Sequence, residues 1–198
     1  MKLEKTEVLI DKGTFSQSAE WNRIRNDIES TIKAMESPPG SGKFILSDQQ
    51  HGNGVVPIKQ MFIGLLKRKP GWKPEILLEI PARMEPGAVD AAIKVGDKLF
   101  AVEWETGNIS SSHRAVNKMA LGLLKGVLVG GMLILPSRKM YYYLTDRIGN
   151  FEELAPYFDV WKNLSVKDGL LAVMAVEHDG VSKQVQKFAK GTDGRALR

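Results

Sequence analysis

Two apolar stretches meet at Gly96-Asp97, and that meeting constrains the fold more than any other feature of the chain. Ala91–Val95 and Lys98–Trp104 have strand composition, and a two-residue turn carrying glycine joins such strands as a hairpin. Pairing them across the turn puts Asp90 opposite the Glu103 end. Glu105 lies two residues beyond Glu103, and residues i and i+2 of a strand share a face, ~6.5–7 Å apart. Three carboxylates therefore converge at one end of a hairpin that is otherwise apolar.

The segments around the hairpin define the fold class. Ser18–Met35 has Trp21, Ile24, Ile28 and Ile32 at helical spacing. Pro57 suits the first residue of a helix running to about Arg68. Glu7–Ile10, Phe44–Leu46, Glu75–Ile80, Met132–Leu135 and Gly169–Val176 read as strands. Ser111 or Ser112 opens a strong helix to about Leu128, with Val116, Met119, Leu123 and Val127 in one stripe, and Gly130-Gly131 stops it. Asn150 with Glu153 three residues on marks another helix start, carrying Phe151, Leu154, Phe158 and Trp161. This order predicts an α/β fold, a central mixed β-sheet flanked by helices on both faces. At 198 residues, with no repeat and no linker, the chain reads as a single domain over 1–198, its polar end at 189–198 a mobile tail.

Composition narrows the chemistry. There is no cysteine, which excludes disulfides, thiolate metal sites and cysteine nucleophiles. The three histidines, His51, His113 and His178, are too scattered for a local ligand pair. Lys and Arg number 28 against 23 acids, a mild excess that permits a polyanionic partner without proving one. The charged N-terminal residues do not read as a signal peptide, and no apolar run reaches the ~18–20 residues of a membrane span. A cytoplasmic protein with no membrane partner is expected. Gly40-Ser41-Gly42-Lys43 invites a phosphate-loop reading, but the upstream glycine is missing and Phe44 stands in place of a magnesium-binding hydroxyl. A plain turn is the better reading.

Clustered acids beside an apolar sheet repel one another and resist desolvation. A hard divalent cation offsets that cost, because magnesium takes oxygen ligands. Spacing alone leaves a second reading open, three solvated carboxylates paired with Lys94 or Lys98. The residues that follow favour a nucleic-acid surface. Asn108, Ser110, Arg114, Asn117 and Lys118 crowd the next helix start, where free N–H groups attract phosphate. Such side chains also read base edges. Asp146 beside Arg147 fits base reading too, since an acid adds nothing to phosphate affinity.

Asp90 followed by the string from Val102 to Lys118 (VEWETGNISSSHRAVNK) closely resembles the BamHI-type restriction endonucleases, of the PD-(D/E)xK nuclease superfamily. Asn53–Lys59 (NGVVPIK), Tyr142–Phe158 and Lys190–Gly194 (KGTDG) match the same enzymes in order. The likeness is greatest to the compact isoschizomers of the family.

The resemblance implies the restriction-endonuclease-like fold and a type II enzyme. It would act as a homodimer with Mg²⁺, cutting double-stranded DNA at the palindrome GGATCC to leave 5′ overhangs. Asp90, Glu103 and, more loosely aligned, Glu75 correspond to metal-binding carboxylates. Glu105 stands where most of the superfamily has lysine. Asn108, Ser110, Arg114, Asp146 and Arg147 correspond to base-reading positions, and Asn53, Lys59 and Lys118 to further DNA-contacting ones. Asp193 and Gly194 correspond to a tail segment near the minor groove. The Ala115–Leu128 and Phe151–Trp161 helices correspond to dimer-forming surfaces. A cognate DNA methyltransferase is implied in the host, not in complex. The competing readings are a same-fold endonuclease with another GATC-centred site, a non-cleaving DNA-binding relative, and a two-carboxylate glycoside hydrolase.

Overall fold

A computed structural model describes residues 1–80 and 87–190. Its main sheet has six strands in the order β1-β7-β6-β5-β4-β3. They are β1 (Lys2–Lys12), β3 (Trp72–Leu77), β4 (Ala88–Val95), β5 (Lys98–Trp104), β6 (Leu128–Pro136) and β7 (Gly169–Glu177). β5, β6 and β7 run parallel, and the remaining neighbours are antiparallel. A small parallel pair, β2 (Ile45–Ser47) with β8 (Gly180–Ser182), stands apart.

β6 and β7 are buried at every residue, as parallel strands covered on both faces must be. Their alternating side chains enter two different cores. On one face Met132, Ile134, Ala172 and Met174 pack with Ile24, Ile28 and Ile32 of α1 (Ala19–Ala34) and Ile58 and Phe62 of α2 (Val56–Leu66). On the other, Leu133, Leu135, Leu171 and Val173 meet Val116, Met119 and Leu123 of α3 (Ile109–Leu124). Phe151, Leu154, Phe158 and Trp161 complete that second core. The expected α/β layering, with helices on both faces, is what the chain forms.

Element boundaries differ from expectation where glycine and proline serve other purposes. Asn108, not Ser111 or Ser112, caps α3, accepting the Ser111 N–H at 3.3 Å. α3 ends at Leu124 rather than near Leu128. Gly126, at φ +71°, forms the left-handed C-terminal cap, with Val127 N–H donating to Gly122 O at 2.9 Å. Gly130 and Gly131 therefore do not stop the helix; they lie inside β6. A Cβ on Gly130 would sit 2.5 Å from the Phe100 ring, and one on Gly131 2.7 Å from Met119 Sδ. The Phe151–Trp161 helix is broken into α5 (Phe151–Leu154), a 3-10 turn at Ala155–Tyr157 and α6 (Phe158–Lys162), because Pro156 withholds an N–H. β3 begins earlier than expected and admits Pro74 because it is an edge strand.

The Gly40–Lys43 turn holds no open anion site. Glu36 fills it, accepting the N–H groups of Gly40 and Gly42 at 2.7 and 2.9 Å. The expected tail over 189–198 lies largely outside the described residues. Among those residues no helix is long and apolar enough to cross a membrane.

The Gly130 contact gives a stability test. Gly130→Ala forces the added methyl into Phe100, an overpacking defect of about 1–3 kcal/mol. Thermal melts should show Tm lowered by roughly 2–10 °C. An unchanged Tm would mean that the sheet and Phe100 accommodate the methyl freely.

Candidate active site

The β4–β5 register pairs Ala91 with Val102, which sets Asp90 against Glu103 at the open end of the hairpin. Asp90 also closes that end. Its Oδ2 accepts the Trp104 N–H at 2.8 Å, where a main-chain carbonyl would otherwise serve. Its Oδ1 accepts from Lys59 Nζ of α2, also at 2.8 Å.

Glu103 pairs with Lys118 of α3, and Lys118 Nζ donates to Ala88 O at 2.6 Å as well. Glu105 extends the β5 line, its N–H donating to Ile134 O at 3.0 Å. Only 5% of this residue is exposed. Its carboxylate accepts the Gly107 N–H at 2.6 Å and the hydroxyl of the fully buried Ser112.

These groups line one cleft of about 200 Å³, with Lys59, Asp90, Glu103, Glu105, Arg114 and Lys118 facing it. Burial, and next the negative charge of Asp90, hold the Glu103 carboxyl above the usual carboxylate range, against the pull of Lys118. Burial pushes Glu105 up to about 6, against the hydrogen bonds from Ser112 and Gly107. Among the described residues no three His, Asp or Glu side chains stand together as a ligand set, because the carboxylates are turned to lysines and to Ser112.

The expected site residues separate into groups. Asp90, Glu103, Glu105, Lys59, Arg114 and Lys118 come together in the cleft. Asn108 and Ser110 are exposed at the start of α3, Asn108 with its side-chain oxygen engaged as the cap. Asp146 and Arg147 are exposed on the loop after α4 (Arg138–Tyr141), 3.9 Å apart, with Arg147 at φ +67°. That loop reaches the site's edge, since Gly149 N–H donates to Gly107 O at 2.9 Å.

Two expectations change. Asn53, expected at the DNA surface, is instead fully buried, with its amide hydrogen-bonded on both sides. Glu75 faces Asp90 across β3–β4 but at φ +51°, exposed and outside the cleft. Asp193 and Gly194 lie outside the described residues.

The sequence does not mark Ser112 and Gly107 as holders of Glu105. The one sequence signal was a serine one helical turn past the cap of α3, and a capping role accounts for such a serine equally well. Ser111 and Ser112 also crowd Gly107 and Gly149. A Cβ on Gly107 would lie 2.5 Å, and one on Gly149 2.3 Å, from the Oγ of Ser111 and Ser112 respectively.

The family model described as restriction endonuclease BamHI matches residues 1–195. The type II restriction enzyme OkrAI of Oceanobacter kriegii is 50% identical over 198 residues, all of both chains. The type II restriction enzyme BamHI of Bacillus amyloliquefaciens is 32% identical over 96% of this chain and 88% of its own. Among solved structures, BglII complexed with a DNA 16-mer superposes with a TM-score of 0.62 at 16% identity, over 93% of this chain and 88% of that one. Free BglII superposes at 0.50, over 89% and 81%. At those identities the two structures support the fold.

The raised Glu105 carboxyl makes stability depend on pH. Between the ordinary 4.5 and about 6 the folded protein holds a proton that the unfolded chain has released. Stability therefore falls as pH rises through that window, by about 2 kcal/mol for this group. Melts in EDTA should show this slope, and Glu105→Gln should flatten it in part, leaving the share due to Glu103. An equal slope in both proteins would refute the assignment.

Proposed function

This chain belongs to the BamHI family of restriction endonucleases and is a type II restriction endonuclease, and on that premise we propose that it cuts double-stranded DNA at GGATCC, as a magnesium-dependent homodimer, leaving 5′ overhangs. One observation carries the reading: Asp90, Glu103 and Glu105 meet in a single cleft bordered by Lys59, Arg114 and Lys118.

The donor set fits a hard divalent cation. All the ligating atoms are carboxylate oxygens, and the desolvated Glu103 carries an electrostatic cost, partly from Asp90, that a cation relieves. Asp90 and Glu103 would hold it. When bound, magnesium supplies Lewis-acid polarisation of the phosphate and a more acidic water.

The protein's own groups do the rest. Lys59 and Lys118 bind phosphate oxygens and orient the backbone, and Arg114 reaches from the same cleft toward a base edge. Glu105, anionic at neutral pH and fixed by Ser112 and Gly107, accepts a proton from the attacking water. The new bond joins water oxygen to phosphorus. The bond from phosphorus to the 3′ oxygen breaks, and that oxygen takes a proton from solvent, giving a 3′ hydroxyl and a 5′ phosphate. Unlike the lysine common in the superfamily, Glu105 adds no positive charge, so cations and the flanking lysines carry that stabilisation.

In this reading Asp146 and Arg147 contact base edges, Arg147 donating to guanine O6 and N7 and Asp146 accepting from cytosine N4. Asn108 and Ser110 present further polar groups at the exposed start of α3. A two-fold palindrome calls for a two-fold dimer. Leu124 on α3, Tyr157 just before α6 and Val160 on α6 are large exposed apolar groups suited to that contact.

Digestion of a plasmid bearing one GGATCC site in Mg²⁺, with sequencing of the ends, tests this reading. A single linear product with 5′ overhangs is expected. Intact plasmid, a random smear, or cutting at another GATC-centred site would overturn it. Glu103→Ala should lower cleavage on the order of a thousandfold while leaving site-specific binding detectable in Ca²⁺. Near-full cleavage by that variant would remove Glu103 from the metal site.

A further inference from the structure

We infer that Asn53 is a specificity-positioning residue, a buried clamp that fixes the loop carrying Asp146 and Arg147 and ties it to the segment at Phe188–Ala189. The role in specificity rests on the base-reading proposed above; the coupling of the two segments does not.

Asn53 lies in no helix or strand of the main sheet, yet it is 0% exposed. Its amide uses every donor and acceptor it has. Nδ2 donates to Ser47 O at 3.0 Å and to Tyr143 O at 2.9 Å. Oδ1 accepts from the N–H groups of Ser47 and Phe188, both at 3.4 Å. Its main chain repeats the pattern: N–H donates to Tyr143 O at 2.9 Å, and its carbonyl accepts Thr145 N–H at 2.7 Å and Thr145 Oγ1–H at 3.2 Å. Gly54, next in the chain, donates to Phe188 O at 2.9 Å, and a Cβ on Gly54 would lie 1.9 Å from Ala189 O.

The end of β2 at Ser47 and two irregular segments, at Tyr143 and at Phe188, therefore meet at one side chain. Such segments leave main-chain groups without ladder partners, and a buried unpaired group costs about 1–3 kcal/mol. An apolar residue fills the space but satisfies none of them. The consequence reaches Thr145, which directly precedes Asp146. Downstream, the loop is held by buried Ile148 and by Gly149 on Gly107. Asp146 and Arg147 are thus the exposed part of a loop fixed at both ends. Arg147, at φ +67°, keeps a conformation that a non-glycine residue holds only when its surroundings impose it.

Asn53→Asp retains the shape but turns the donating half of the amide against two carbonyls. In the free protein, hydrogen exchange at Thr145 and Phe188 should rise together by tenfold or more, with β6 and β7 unchanged. In Ca²⁺, the affinity ratio between a GGATCC duplex and one with a single G·C pair replaced should fall at least tenfold, with affinity for random duplex unaltered. Thr145→Val removes only the hydroxyl bond and should lower the same ratio by a smaller factor; it serves if Asn53→Asp does not fold. Exchange that rises at one segment alone overturns the coupling. A ratio unchanged in both variants overturns the role in specificity. A lowered Tm with that ratio intact marks a merely structural residue and also overturns it. Failure of the unsubstituted protein to prefer GGATCC would instead count against the proposed function, while the exchange result judges the clamp by itself.

Discussion

The bond from Trp104 N–H to Asp90 Oδ2 fixes the site, because it makes a carboxylate the last rung of the β4–β5 ladder. Asp90 is thereby locked beside the end of β5, and Glu103 comes with it through the strand register. Two negative charges are then held together next to an apolar sheet, at a cost visible in the raised Glu103 carboxyl. Everything placed around them offsets that cost. Lys59 arrives on α2, from one face of the sheet, and Lys118 on α3, from the other. Both helices owe their positions to their apolar stripes, so core packing delivers the countercharges.

Much of this was readable from residues near one another in the chain. The Gly96-Asp97 turn and the apolar stretches Ala91–Val95 and Lys98–Trp104 dictate the hairpin, and the hairpin dictates the meeting of Asp90 with Glu103. Arg114 and Lys118, four residues apart on α3, share a face at any helical start. The capping pair at Asn150 and Glu153 formed as expected, Asn150 accepting the Glu153 N–H and donating to its carboxylate. Family membership, full-length and at 50% identity to one relative, accords with the same blocks of residues.

What stayed hidden depends on long-range contact. Gly130-Gly131 has the local look of a helix stop, but the reason for those glycines is Phe100 and Met119, residues of β5 and α3 that arrive by folding. Asn53 shares a block with Lys59, yet one is sealed and the other faces the cleft. Polarity gave no hint, because an asparagine is buried only where main-chain groups from Ser47, Tyr143 and Phe188 converge on it. Glu75 lay at a workable spacing from Asp90, and a positive φ at an edge strand carries it out of the cleft. Ser112 looked like a cap because serine near a helix start usually is one; its hydroxyl instead holds Glu105.

The parallel order of β5 and β6 decides where α3 begins. A crossover between parallel strands leaves from the carboxyl end of the first and returns to the amino end of the second, so the connecting helix starts beside the carboxyl end. α3 therefore presents its N-terminus, with its partial positive charge and free N–H groups, at the edge where Glu103 and Glu105 lie. Ser112, Arg114 and Lys118 follow within three turns and reach the same cleft or its carboxylates. A net charge of +5 over the chain says little about this arrangement. Three acids and three bases face one another across about 200 Å³, so the cleft is near neutral as it stands. Under the proposed function, a cation taken by the carboxylates would leave Lys59 and Lys118 free to meet a phosphate backbone, and cation and polyanion would then be mutually supporting ligands of one site.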